Sequence, residues 1–117
     1  MKEVVAFLDE LKSNARFPVI SRYFFHDNDS IYFRYGYSHS AGGTAITISN
    51  ITIDEEHQGE GRFSRYLTAV EEYAKAEGCA VSLESVVNPF LPEVLIRKGY
   101  TVPKEAFGNF VKKFDKE

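Results

Sequence analysis

Ile53-Asp54-Glu55-Glu56-His57-Gln58-Gly59-Glu60-Gly61-Arg62-Phe63 is the stretch that decides how this chain is read. An isoleucine-rich segment ends at Ile53, and two glycines follow. Phe63, Tyr66, Leu67, Val70, Tyr73 and Ala74 then recur at helical spacing as far as Gly78, which reads as a C-cap. Glycine lets the backbone turn tightly and approach a ligand closely. The unpaired N–H groups of the helix's first turn, backed by its dipole, point into that turn. A strand, a glycine turn and a helix N-terminus in series therefore make a site for a pyrophosphate. Arg62 and Arg65 fall in the first helical turn, where a cation is unfavourable unless an anion lies beside it. The spacing is neither G-x-x-x-x-G-K-S/T nor G-x-G-x-x-G, so a P-loop and a dinucleotide fingerprint are excluded.

Working back from the turn, residues 44–53 read as a strand with an irregularity. Ile46 and Ile48 share one face and Ile51 and Ile53 share one, but the two pairs are out of phase. Either a bulge at Ser49-Asn50 brings all four to one side, or the strand is buried on both faces. Before it, Ile31, Phe33, Tyr35 and Tyr37 alternate as a strand, and Ser40-Ala41-Gly42-Gly43 forms the hairpin connection. His26-Asp27-Asn28-Asp29-Ser30 is a turn-rich cluster. Residues 14–25 are ambiguous, with a break at Pro18, and Val4, Phe7, Leu8 and Leu11 predict a first helix over 2–13.

Beyond the long helix, residues 80–87 read as a short strand. Residues 89–98 read as a short helix with Pro89 or Pro92 in its first turn and Gly99 past its end. Residues 107–114 give a last strand, with Lys112 and Lys113 facing water. The order is helix, strand, strand, helix, strand, helix, strand: one mixed α/β domain over residues 1–117.

A chain of 117 residues is long enough for one core without metal or disulfide staples. Its formal net charge of −3 supplies no global field for nucleic acid or an anionic membrane. One cysteine, Cys79, permits no internal disulfide, which suits a cytoplasmic protein. No apolar run reaches bilayer-spanning length. The ten Phe and seven Tyr concentrate between Phe17 and Tyr37, which suggests an apolar groove or interface there.

The turn resembles the acetyl-CoA turn of the GNAT superfamily of acyl-CoA N-acetyltransferases, whose pattern is Q/R-x-x-G-x-G/A. Gln58 and Gly61 match its first and fourth positions, while Phe63 stands where a small residue is usual. A second match lies downstream: Asn88 is followed, at the family's distance and across a helix, by Gly99-Tyr100. A bulged strand before the turn is also a family feature. The resemblance covers roughly residues 44–114. It implies a mixed, mostly antiparallel sheet flanked by helices, with a splayed and bulged central strand.

It also implies acetyl transfer from acetyl-CoA, as co-substrate, to an amine by direct attack in a ternary complex, with no metal. The backbone around Ile51 and Ile53 would meet the pantetheine arm. Gln58, Gly59, Glu60, Gly61, Arg62, Phe63 and Ser64 would hold the pyrophosphate, and Asn88 would also contact the cofactor. Freeing a lysine-like amine of its proton at pH 7 costs about 4.6 kcal/mol, so a base is required. Glu84 is the preferred candidate, ahead of Glu55, Glu56 and His57, though strand alternation equally allows Glu84 to be a solvated outward residue. Ser85 and Asn88 are candidates to hydrogen-bond the sulfur or the pantetheine. The Tyr that family members often carry seven residues after the Asn, as general acid, is Leu95 here. Cys79 reads as a small core residue.

The acceptor is expected to be an amine on a small molecule or a protein, in a groove lined by Tyr23, Phe24, Tyr32, Tyr35 and Tyr37. Neither nucleic acid nor membrane is expected as a partner, and a homodimer is left open. The alternative is a binding module that keeps the scaffold without efficient catalysis, a view that Leu95 and Phe63 favour.

Overall fold

A computed structural model describes residues 2–13, 19–39, 41–54, 56, 61–84, 91–102 and 109–114. Helix α1 (Lys2–Ser13) buries Val4, Leu8 and Leu11, the apolar positions of its sequence pattern. Its other side is fastened to the long helix α2 (Arg62–Glu77): Tyr73 donates to Asp9 at 2.8 Å, and Lys12 pairs with Glu77.

Among the described residues the sheet has five strands in sequential order: β1 (Val19–His26), β2 (Asp29–Ser38), β3 (Gly43–Thr52), β4 (Ala80–Leu83) and β5 (Phe110–Lys112). The β3–β4 pair is parallel, as its crossover through α2 requires, and the other three are antiparallel. A short helix α3 (Leu91–Arg97) follows β4, with Pro92 in its first turn.

Strand β1 is an addition to the order expected from the sequence, within the segment left ambiguous there. Its Val-Ile-Ser-Arg-Tyr-Phe-Phe-His run pairs with β2 over eight residues without a break. The turn between them is only Asp27-Asn28, both at positive φ (47° and 66°), the geometry of a two-residue hairpin. Asp29 is therefore the first residue of β2 and not part of the turn. Because Asn visits left-handed backbone far more readily than a β-branched residue, Asn28→Val is expected to lose about 1–2 kcal/mol. Asn28→Gly is expected to stay within about 0.5 kcal/mol of the parent in urea titration.

Strand β3 resolves the phase shift of its isoleucines. Tyr32 faces Asn50 and Phe33 faces Ile48, so Ser49 bulges out unopposed. The bulge keeps Ile46, Ile48, Ile51 and Ile53 against one core, where they meet Phe24, Ile31, Phe33, Leu67, Val70, Val81 and Leu83. The stretch before the bulge is also covered behind: Ala45 and Thr47 are buried, and Ala45 joins Ala41, Ala80 and Val111. Both readings of the strand thus hold, each for a different half.

Helix α2 buries Tyr66, Leu67, Ala69, Val70, Tyr73 and Ala74, with Phe63 packed against the same core. It ends at Gly78, left-handed at φ 70°, where Cys79 N–H returns to Ala74 C=O at 3.0 Å. Two expectations at the C-terminal end are corrected. Strand β5 is shorter than residues 107–114, although 107–108 lie outside the described residues. Lys112 is not simply turned to water: its Nζ donates to Lys98 C=O at 2.7 Å and lies 5.3 Å from the Phe114 ring.

Candidate functional site

Strands β3 and β4 bound the candidate site. Among the described residues their pairing runs to Ile48–Leu83, and Glu84 N–H donates to Ile48 C=O at 3.0 Å; residues 85–90 lie outside the described ones. The bulge at Ser49 follows immediately. From there β3 continues to Thr52 paired with β2, and no described strand lies on its other edge.

Glu84 directly follows β4, and its carboxylate ties three strands together. Arg34 of β2 meets Oε2 at 2.8 Å, and Ser49 donates its hydroxyl to Oε1 at 3.0 Å. The side chain is 27 % exposed, so Glu84 is neither buried nor a freely solvated outward residue.

Gly61, with its left-handed backbone (φ 78°), starts α2 with no side-chain cap. The first turn of α2 carries no acidic residue, so its N–H groups and dipole are met by no side-chain anion of their own helix. Phe63 is half-buried, while Ser64 and Arg65 are exposed. Among the described residues Arg65 has no ion-pair partner.

Arg62 has a different environment from the one its sequence position suggests. The anion that relieves it is Asp29: Arg62 Nη1 lies 2.8 Å from Asp29 Oδ2, and the same nitrogen donates to Asp27 C=O at 3.3 Å. Asp29 is buried and fully engaged. It accepts from Tyr66 OH on Oδ2 and from Asp54 N–H on Oδ1 at 2.7 Å. Burial pushes its carboxyl pKa up, but the hydrogen bonds from Tyr66, the Asp54 amide and Arg62 outweigh that and hold it below the ordinary value. Burial and the same carboxylate push the Tyr66 phenol up. The step from Arg62 to a bound phosphate is therefore not needed, because a protein carboxylate already supplies the charge.

Gln58, Gly59, Glu60, Ser85 and Asn88 lie outside the described residues, as do Glu55 and His57; Glu56 is exposed. Ile51 and Ile53 are half-buried at the end of β3. Leu95 is fully buried in the core, and Tyr100 is buried beside it with its hydroxyl on Glu71 at 2.8 Å. Burial and the Glu71 carboxylate push the Tyr100 phenol up, which suits packing and not proton donation. Burial likewise pushes the Cys79 thiol up, away from nucleophile chemistry.

The five aromatics expected to line an acceptor groove do not share a face. Phe24 and Tyr35 pack on the helix side, whereas Tyr23 and Tyr32 meet as tilted rings 4.6 Å apart on the other, next to the 72 % exposed Phe25. Asp29 and Arg34 were not singled out from the sequence. Asp29 shares strand parity with Ile31 and Phe33, an acid on an apolar face, which was the available signal. Among the described residues no group of three or more His, Cys, Asp or Glu could hold a metal ion, and no helix is long and apolar enough to cross a membrane.

No protein-family model matches this chain, and no curated protein matches it by sequence. Solved structures do. One is a crystal structure of a presumed acetyltransferase from Agrobacterium tumefaciens. It is 17 % identical, with a TM-score of 0.55, over 93 % of this chain and 89 % of that one. The fold is acetyltransferase-like. A second neighbour is KacTA in complex with DNA, 14 % identical with a TM-score of 0.52, over 97 % of this chain and 80 % of that one. That a neighbour was solved with DNA does not fit the expectation, from net charge, that this chain has no nucleic-acid partner.

Proposed function

We propose that β3 and β4 fork beyond Ile48–Leu83, and that the chain is an N-acetyltransferase that binds acetyl-CoA between this fork and the start of α2 and passes its acetyl group to an amine. The observation that carries this reading is a coincidence in space. The Ser49 bulge, the last described β3–β4 pair and the Glu84 carboxylate all fall at one point. In this reading the backbone of Ile51 and Ile53 meets the pantetheine arm. The turn Gln58-Gly59-Glu60-Gly61 and the N–H groups of Arg62, Phe63 and Ser64 take the pyrophosphate. The uncapped first turn of α2 and the exposed Arg65 suit an anion.

Acetyl-CoA supplies the activated thioester; the protein's part is to hold the amine against it, which is worth roughly 7–11 kcal/mol of the barrier. Glu84 takes the amine's proton, directly or through water. Ser85 and Asn88 steady the thiolate. With Leu95 in place of the usual Tyr, the thiolate leaves unprotonated or takes its proton from water.

A second reading has specific support. Glu84 has both oxygens engaged and Leu95 is core, which favours a scaffold that binds coenzyme A without efficient transfer. Acetyl-CoA at a hundred times its Kd is expected to stabilise the fold by about 2.7 kcal/mol, seen as a melting shift of several degrees. The shift together with thiol release across an amine panel supports the enzyme. The shift without thiol release supports the binding module, and no shift removes both.

A further inference from the structure

Residues 55–60 connect two anchored ends, and one buried side chain holds both. On one side Asp29 Oδ1 accepts the Asp54 N–H at 2.7 Å, just where β3 gives way to the loop. On the other, Asp29 Oδ2 accepts from Arg62 at 2.8 Å and from Tyr66, in the first turns of α2. The carboxylate itself stands on the first residue of β2, beside the rigid Asp27-Asn28 turn, and is 1 % exposed. Asp54 extends the anchor by accepting the Glu56 N–H at 3.3 Å. Neither the transfer chemistry nor cofactor contact uses Asp29, yet the network spans both edges of the glycine turn.

We infer that Asp29 is a positioning residue for cofactor binding: it ties Asp54, just past β3, to Arg62 and Tyr66 in the first turns of α2, so that the first turn of α2 presents its N–H groups already fixed in place. The inference rests on the acetyl-CoA reading of the proposed function. A helix start fixed by the protein loses less freedom when an anion binds to it, and the difference appears as affinity. The clamp also neutralises Arg62, leaving the backbone N–H groups and Arg65 to meet the phosphates.

The test compares Asp29→Asn and Tyr66→Phe with Tyr73→Phe, which removes a hydrogen bond from the same helix but at the α1 contact. Two readouts are taken: amide hydrogen exchange in the free protein, and the acetyl-CoA Kd by calorimetry. Asp29→Asn is expected to speed exchange at Asp54 and through residues 61–65, and to weaken acetyl-CoA by about tenfold or more. Exchange in the β2–β3 ladder should stay slow. Tyr73→Phe is expected to lower the melting temperature and leave both readouts at the parent's values. Tyr66→Phe, which keeps the carboxylate and removes one of its donors, is expected to change both in the same direction by less, and carries the test should Asp29→Asn not fold. If the parent binds acetyl-CoA and the Asp29 and Tyr66 variants match its Kd and exchange, the inference is overturned while the acetyl-CoA reading stands. If the parent itself binds none, that reading fails and the positioning role falls with it.

Discussion

Asp29→Ala is expected to lower the stability of the fold by about 3 kcal/mol, because it strips the acceptor from donors that burial leaves without water. Tyr66, buried at 2 % exposure, loses its hydroxyl partner, and the Asp54 amide loses its own. Arg62 loses its nearest anion but keeps Asp27 at 4.0 Å and partial access to solvent, which holds the loss below that of a fully enclosed pair. A loss of that size corresponds to a fall in melting temperature of about 10 °C. The pH dependence has a definite sign. Because the folded-state pKa of Asp29 lies below its ordinary value, its contribution is complete above the unfolded carboxylate's pKa of about 3.9 and disappears as pH falls through the folded value. The stability gap between parent and Asp29→Asn should therefore be constant from neutral pH down to about 5 and close on further acidification. A gap unchanged at pH 3 would show that Asp29 acts through packing alone.

Glu84→Gln is expected to lower kcat/KM for the amine by about 10²–10⁴, the usual size of a general base's contribution. The substitution keeps the side chain's shape and an oxygen for Ser49 but ends proton acceptance and weakens the pairing with Arg34. Arg34 and Glu84 are each about a third exposed, so the stability change should stay within about 1 kcal/mol. The acetyl-CoA Kd should stay within about twofold, because the carboxylate lies at the fork and not on the phosphate turn. Parent-like turnover in this variant would remove Glu84 from the reaction and direct attention to the loop acids.

What the sequence made legible follows a physical rule: elements whose signal is local were found. Helix α2 announces itself through a stripe of six apolar side chains and a terminal glycine, and it spans the residues that pattern marks. The bulge was visible as two isoleucine pairs out of phase, although choosing between a bulge and two-sided burial required the neighbouring strands. Strand β1 stayed ambiguous because Tyr23 and Phe25 are apolar yet exposed, which erases the alternation that marks a half-buried strand. Asp29 was absorbed into a turn because Asp, Asn and Ser surround it, although the turn is two residues long. Partners remote in sequence could not be read at all. Arg62 stands 33 positions from Asp29, so its place in a helix's first turn pointed to a ligand when the counter-charge was in the protein. The Arg34–Glu84 pair was hidden in the same way, across the sheet. The aromatic groove failed for a further reason: clustering along a strand is not clustering on a face, since neighbours point to opposite sides.

The central claim, that this turn receives acetyl-CoA, is tested most directly by calorimetric titration of acetyl-CoA into the parent and into Gly61→Glu. Gly61 has open space around a Cβ, so the new side chain has room, and its left-handed backbone costs a non-glycine residue only about 1–2 kcal/mol. The added carboxylate would stand at the start of α2, where the pyrophosphate is expected. Saturable binding to the parent is expected at micromolar to submillimolar concentration, and binding at least about tenfold weaker, about 1.4 kcal/mol, in a still-folded Gly61→Glu. No heat of binding to the parent at millimolar acetyl-CoA, or equal binding by both proteins, would contradict the central claim.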